Sequence, residues 1–202
     1  MTVALIMDID GVISPVHGQT AWGDDVDAGP AIGQVLVSPA LNSRLDSLAK
    51  RPGVVARWLT SWDIEMRSGM TFPGKEWKDI DRAHPEPTRP LSDLEIAAAP
   101  WWKWTSLARW LDQRPDVSAV VWCDDNLENV YLKREREDGQ PGALGYRTAG
   151  DIARDELSAR QIAALLICPS ARVGLTPDDV VAIEQFVEAA RDRDASDPVG
   201  GA

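Results

Sequence analysis

Three apolar runs in this chain each end in side chains that bind cations or anions, and that recurrence limits the folds open to it. Val3-Ala4-Leu5-Ile6-Met7 leads into Asp8-Ile9-Asp10-Gly11-Val12. Val54-Val55-Ala56-Arg57-Trp58-Leu59 leads into Thr60-Ser61, and Ala119-Val120-Val121-Trp122-Cys123 into Asp124-Asp125. Short continuous apolar runs of this kind read as strands buried on both faces, the mark of a parallel sheet. Helical patterns lie between and after them. Ser38 caps a helix with Pro39 at its first position and Leu41, Leu45 and Leu48 on one face. Further helices are predicted over Trp102 to Leu111 and Ile152 to Ala163, with another strand over Ala164 to Cys168. Thr176-Pro177 opens a last helix striped by Val180, Ile183 and Val187. Strands alternating with helices imply an α/β fold: a Rossmann-like, doubly wound, mainly parallel sheet with helices on both faces. Ligands of such sheets bind at the carboxyl ends of the strands. Asp8, Asp10, Thr60, Asp124 and Asp125 are therefore expected around one crevice.

Four carboxylates gathered there repel one another unless a cation neutralises them, and all-oxygen ligation suits Mg²⁺. A carboxylate nucleophile, a second carboxylate as acid and base, a metal, and a Lys and a Thr to hold phosphate are the components of phosphoryl transfer. Asp8 and Asp10 are the candidates for the two carboxylate roles, with Gly11 letting the loop curl. Thr60 is the expected phosphate-binding hydroxyl, with Ser61 as its competitor. Lys103 is the expected counter-charge; Lys75 and Lys78 are rivals in an irregular stretch. Asp8, Asp10, Asp124 and Asp125 are the candidate metal-site residues, with Asn126 and Glu128 beside the last pair. Whether Asp125 touches the metal directly stays open.

The order Asp8-x-Asp10-Gly11-Val12, Thr60, Lys103, Asp124-Asp125 resembles the haloacid dehalogenase (HAD) superfamily, from about Val3 to Asn126. The resemblance implies a Mg²⁺-dependent phosphohydrolase working through an aspartyl-phosphate, with Asp8 as nucleophile, Asp10 as acid/base, and Asp124 and Asp125 completing the metal site with Asp8 and the main-chain carbonyl of Asp10. The dehalogenases of that superfamily lack the second acid, so Asp10 favours phosphate esters over carbon–halogen bonds. Response-regulator receiver domains use similar residues, but their acidic pair comes first. Ser14 to Gly33 reads as a loop or small hairpin, Val35 to Val37 as a short strand, and Met70 to Pro100 as irregular with one short helix near Asp93 to Ala98. These inserts imply a minimal or absent cap domain and an open site. Trp-Leu-Thr-Ser-Trp, Trp-Lys, Trp-Cys-Asp-Asp and Gly174-Leu175-Thr176 resemble bacterial HAD domains associated with RNA-repair proteins. The substrate implied is phosphorylated: a small molecule or a nucleic-acid 3′ end. A weakly catalytic binding domain on this scaffold, or a phosphotransferase, stands as the alternative.

The 202 residues suit one domain, placed at 1–192, with a polar tail over 193–202. A net charge of −11 disfavours strong non-specific nucleic-acid binding. Lys133-Arg134-Glu135-Arg136, the densest basic cluster, reads as a solvated helix face, and Glu135 to Gly145 as a surface loop. No run suits a membrane span or a signal peptide, and Cys123 and Cys168 read as buried free thiols; a cytoplasmic protein is expected. Neither a Gly-x-Gly-x-x-Gly loop nor a Walker A lysine is present. Of the nine tryptophans, Trp104 reads as core; Trp101 and Trp102 fit core packing or stacking on a base or sugar.

Overall fold

Every side chain from Val3 to Met7 is buried, so neither face of the first strand meets water. The computed structural model describes residues 2–29, 34–74, 76–83, 101–128, 130–133 and 145–196. Its strands are β1 (Thr2–Met7), β2 (Val26–Asp27), β3 (Leu36–Val37), β4 (Val54–Trp58), β5 (Lys78–Asp79), β6 (Val117–Cys123), β7 (Val130–Lys133), β8 (Gly145–Thr148) and β9 (Ala163–Ile167). The helices are α1 (Pro39–Ala49), α2 (Ile64–Arg67), α3 (Trp102–Asp112), α4 (Ala149–Ala159) and α5 (Pro177–Ser196). Five strands form one parallel sheet in the order β5-β4-β1-β6-β9. The chain thus builds outward from β1 through β4 to β5, then crosses to the other side of β1 and continues through β6 to β9. That reversal opens a crevice at the carboxyl ends of β1 and β6, where such sheets bind ligands.

The alternation of a strand's side chains divides the core into two layers. Val3, Leu5 and Met7 pack with Leu41, Leu45 and Leu48 of α1 and Val180, Ile183 and Val187 of α5. Ala4, Ile6, Val120 and Trp122 face the other way, with Leu107 and Leu111 of α3 and Ala153 and Leu157 of α4. Burying each of the leucines, isoleucines and valines among them contributes about 1.5–3 kcal/mol. The cap residues fix the helix starts. Ser38 Oγ accepts from Leu41 N–H at 3.0 Å, and Asp24 Oδ2 accepts from Ala40 N–H at 2.9 Å. Arg44 of α1 pairs with Glu184 of α5, and Arg51, in the turn after α1, with Glu188 of α5; all four side chains are partly exposed, so each pair contributes little.

Several expected boundaries move. α4 begins at Ala149, earlier than expected, because Thr148 and Asp151 form a reciprocal capping box. It ends before Ile162, and Ala163 belongs to β9. Lys133 lies in β7, which pairs antiparallel with β8, and not on a helix face; of the segment read as a surface loop only Gly145, the first residue of β8, is described. Residues 134–144, the short helix expected near Asp93 to Ala98, and Lys75 lie outside the described residues. α5 continues to Ser196, past the boundary placed at 192. Between Ser14 and Val37 the only paired elements among the described residues are the two-residue strands β2 and β3. No helix among the described residues is long and apolar enough to cross a membrane.

Candidate active site

Register places the site. Met7 pairs with Trp58 on one side and Cys123 on the other, so the residues that follow leave the sheet at one level. Asp8 N–H donates to the Cys123 carbonyl at 3.1 Å, Leu59 N–H to the Met7 carbonyl at 2.9 Å, and Asp124 N–H to the Ile167 carbonyl at 3.1 Å. Asp8 and Asp124 are thereby drawn into the protein, 3% and 0% exposed.

Lys103, in the first turn of α3, reaches the same point and is 5% exposed. Its ammonium donates to Asp8 Oδ2 at 2.5 Å and to Asp124 Oδ2 at 2.6 Å. The other oxygens are also engaged: Asp8 Oδ1 accepts from Ile9 N–H at 2.7 Å and Asp124 Oδ1 from Asn126 N–H at 3.0 Å. Asp125 joins them. One oxygen from each of Asp8, Asp124 and Asp125 lies within 4.8 Å of the others, a cluster that could hold a metal ion. With all three acids ionised, a single ammonium leaves a surplus of two negative charges, so the donor set fits a hard cation. Asn126 Nδ2 donates to Asp125 Oδ1 at 2.6 Å and steadies it from behind, as expected, whereas Glu128 is exposed. Gly11 makes room for this approach. Its φ is +67°, and a Cβ there would lie 2.6 Å from Asp125 Oδ2.

Burial raises the carboxyl pKa of Asp124 to about 6, against the pull of Lys103 and with help from the charge on Asp8. Asp125 is raised for the same leading reason. Burial depresses the Lys103 ammonium, but Asp124 and Asp8 together outweigh it and the net shift is upward. Asp10 is also raised, first by burial, while the hydrogen bond from Trp62 opposes.

The Asp10 side chain is not part of the acidic cluster. It accepts a hydrogen bond from Trp62 Nε1 at 2.7 Å. The Asp10 loop is tight: Gly11 N–H donates to the Ser14 carbonyl at 2.8 Å, and Ile13 and Ser14 N–H both donate to the Ile9 carbonyl. Thr60 is 7% exposed whereas Ser61 is open to solvent. Thr60 Oγ1 accepts from Trp62 N–H at 3.2 Å, so the Thr60 hydroxyl hydrogen is left to point elsewhere. Arg82 Nη2 donates to the Ser61 carbonyl at 2.5 Å, and its guanidinium sits 5.0 Å from the Trp102 ring.

The structure thus brings together Asp8, Lys103, Asp124 and Asp125, and links Asp10 to Thr60 through Trp62. Lys78 is exposed on the edge strand β5. Trp101 stacks on buried Trp122 at 5.0 Å, and Trp104 lies 6.4 Å from the same ring. Cys123 is buried; Cys168, half-buried, donates through Sγ to the Asp125 carbonyl at 3.3 Å. Sequence reasoning gave Trp62 and Arg82 no role. The only signal was Trp62 as the last residue of the Trp-Leu-Thr-Ser-Trp motif, two residues after Thr60. No protein-family model, curated protein or solved structure matches the chain.

Proposed function

We propose that the protein is a Mg²⁺-dependent phosphohydrolase of the HAD type that cleaves phosphate monoesters through an aspartyl-phosphate on Asp8. The observation that carries this reading is the buried Asp8–Lys103–Asp124 bridge with Asp125 in reach. Three hard carboxylate donors suit Mg²⁺, which Asp8, Asp124, Asp125 and the main-chain carbonyl of Asp10 would hold. When bound, the ion supplies positive charge to the transferring phosphoryl group.

The chain's own residues divide the remaining work. A carboxylate oxygen of Asp8 attacks phosphorus in line; the new P–O bond forms as the bond to the leaving oxygen breaks. Asp10 gives its proton to that oxygen, and the upward shift of its pKa favours holding the proton until then. Asp10 then takes a proton from water, whose oxygen attacks phosphorus. The bond to Asp8 breaks, inorganic phosphate departs, and both carboxyl groups return to their starting states. Lys103 holds Asp8 in place and offsets its charge. Thr60 donates its hydroxyl hydrogen to a phosphoryl oxygen. Among the described residues the insert after the first motif carries only the two-residue strands β2 and β3, and a site with a minimal cap suits a large substrate. A nucleic-acid 3′-phosphate is the leading candidate and small phosphate esters the next. A net charge of −11 confines contact with a polymer to its end.

The test is hydrolysis of an aryl phosphate and of a panel that includes 3′-phosphorylated oligonucleotides, with and without Mg²⁺. Wild-type protein should turn over at least one of them only with Mg²⁺, and Asp8→Asn should fall to background while keeping its fold. Full activity in Asp8→Asn removes the nucleophile. No turnover of any phosphate leaves a binding domain instead.

A further inference from the structure

Trp62 touches two of the residues to which the proposed reaction gives roles. Its backbone N–H meets Thr60 Oγ1, and its indole Nε1–H meets Asp10 Oδ2 at 2.7 Å. That distance lies at the short end of the N–H···O range. An indole only donates, so Trp62 can neither carry the transferred proton nor bind a cation. What it can do is occupy one oxygen. With Oδ2 held, the proton that Asp10 exchanges sits on Oδ1, and the side chain cannot turn to present its other face.

The ring is well placed to impose this. Phe72, itself buried, meets it edge-on, with centroids 5.9 Å apart and planes at 87°. On one side Arg82 holds the Ser61 carbonyl. On the other, Asp63 caps α2 through Met66 N–H at 2.7 Å. The loop carrying the indole is therefore clipped before and after it, and the indole bridges 52 residues of sequence back to the Asp10 loop.

We infer that Trp62 is a positioning residue for the reaction proposed above: its indole N–H fixes the orientation of Asp10 so that Oδ1 serves the leaving oxygen and the water. The inference rests on that reading of Asp10 as acid and base. Trp62→Phe tests it, because phenylalanine keeps a ring against Phe72 and the backbone N–H to Thr60 while deleting only the indole donor.

The experiment is single-turnover kinetics on matched alkyl and aryl phosphates with wild type, Trp62→Phe, Asp10→Asn and the double variant. Alkyl esters need a proton on the leaving oxygen, so Trp62→Phe should slow them by about 10- to 100-fold, the scale of one hydrogen bond to a charged group. Aryl esters should lose far less in the phosphoryl-transfer step. Adding Trp62→Phe to Asp10→Asn should cost nothing more. Equal losses on both ester classes, or additive losses in the double variant, overturn the inference while the phosphohydrolase reading stands. A wild-type protein inactive on every ester overturns the reading itself. A second measurement does not depend on how Trp62→Phe folds. In wild-type protein the Trp62 indole N–H resonance should shift on Asp10→Asn, and a resonance indifferent to that change overturns the contact.

Discussion

Lys103→Met should destabilise the metal-free protein severely, because it removes the only ammonium among the described residues that lies between two buried carboxylates. Methionine keeps the length and apolar stem of the side chain, so little packing is lost. The Asp8 and Asp124 oxygens that flank Nζ are 2.5 and 2.6 Å from it, hence no more than about 5 Å apart. Two unit charges at that separation repel by about 3 kcal/mol at an effective dielectric constant of about 20. Breaking a buried ion pair from one side typically costs about 3–5 kcal/mol, in agreement. For a chain of this size that lowers the melting midpoint by about 6–20 °C. Urea unfolding in EDTA at pH 8 measures the loss. Excess Mg²⁺ should narrow the gap, since a cation restores part of the missing charge.

The pH dependence follows from burial of Asp124. Its folded pKa, raised to about 6, stands above the ordinary carboxylate value. A carboxyl raised on folding stabilises the fold in its protonated form; that contribution is complete below the unfolded pKa and is lost as pH climbs through the folded one. Removing Lys103, which lowers Asp124, pushes the folded value higher still. Wild type and variant therefore lose stability together up to about pH 6, and the gap between them opens above it. An identical urea midpoint for wild type and Lys103→Met at pH 8 would refute the buried bridge.

Gly11→Ala should weaken Mg²⁺ binding by calorimetry and lower stability, because alanine adopts φ near +67° at a cost of about 1–2 kcal/mol and its Cβ would displace Asp125. Ser38→Ala should cost about 1 kcal/mol by urea unfolding, the usual value of a helix N-cap, and leave Mg²⁺ affinity unchanged, since α1 packs away from the acidic cluster.

The parts of this molecule that could be read from its sequence are those where burial conflicts with residue type. β1 and β6 were legible because strands covered on both faces need unbroken apolar runs, and Asp8 and Asp124 were legible because each interrupts such a run where register then brings them together. Ser38-Pro39 and Thr176-Pro177 announced α1 and α5 through cap chemistry that is local in sequence. α4 was misplaced because Ile162 and Ala163 continue a helical spacing by chance, while the chain turns at Gln161, φ +60°, to enter β9. Lys103 was legible only from its place in an order of motifs, since a lysine opening a helix is ordinarily a surface residue; here its charge is met by the Asp8 and Asp124 carboxylates. Trp62 offered no such conflict. In a chain with nine tryptophans an indole is at home in any core, and which one turns its N–H toward Asp10 depends on the path of a loop closed by contacts from Phe72 and Arg82. Charged groups of a buried site thus betray themselves in sequence, whereas the neutral donors that aim them do so only once the backbone is in place.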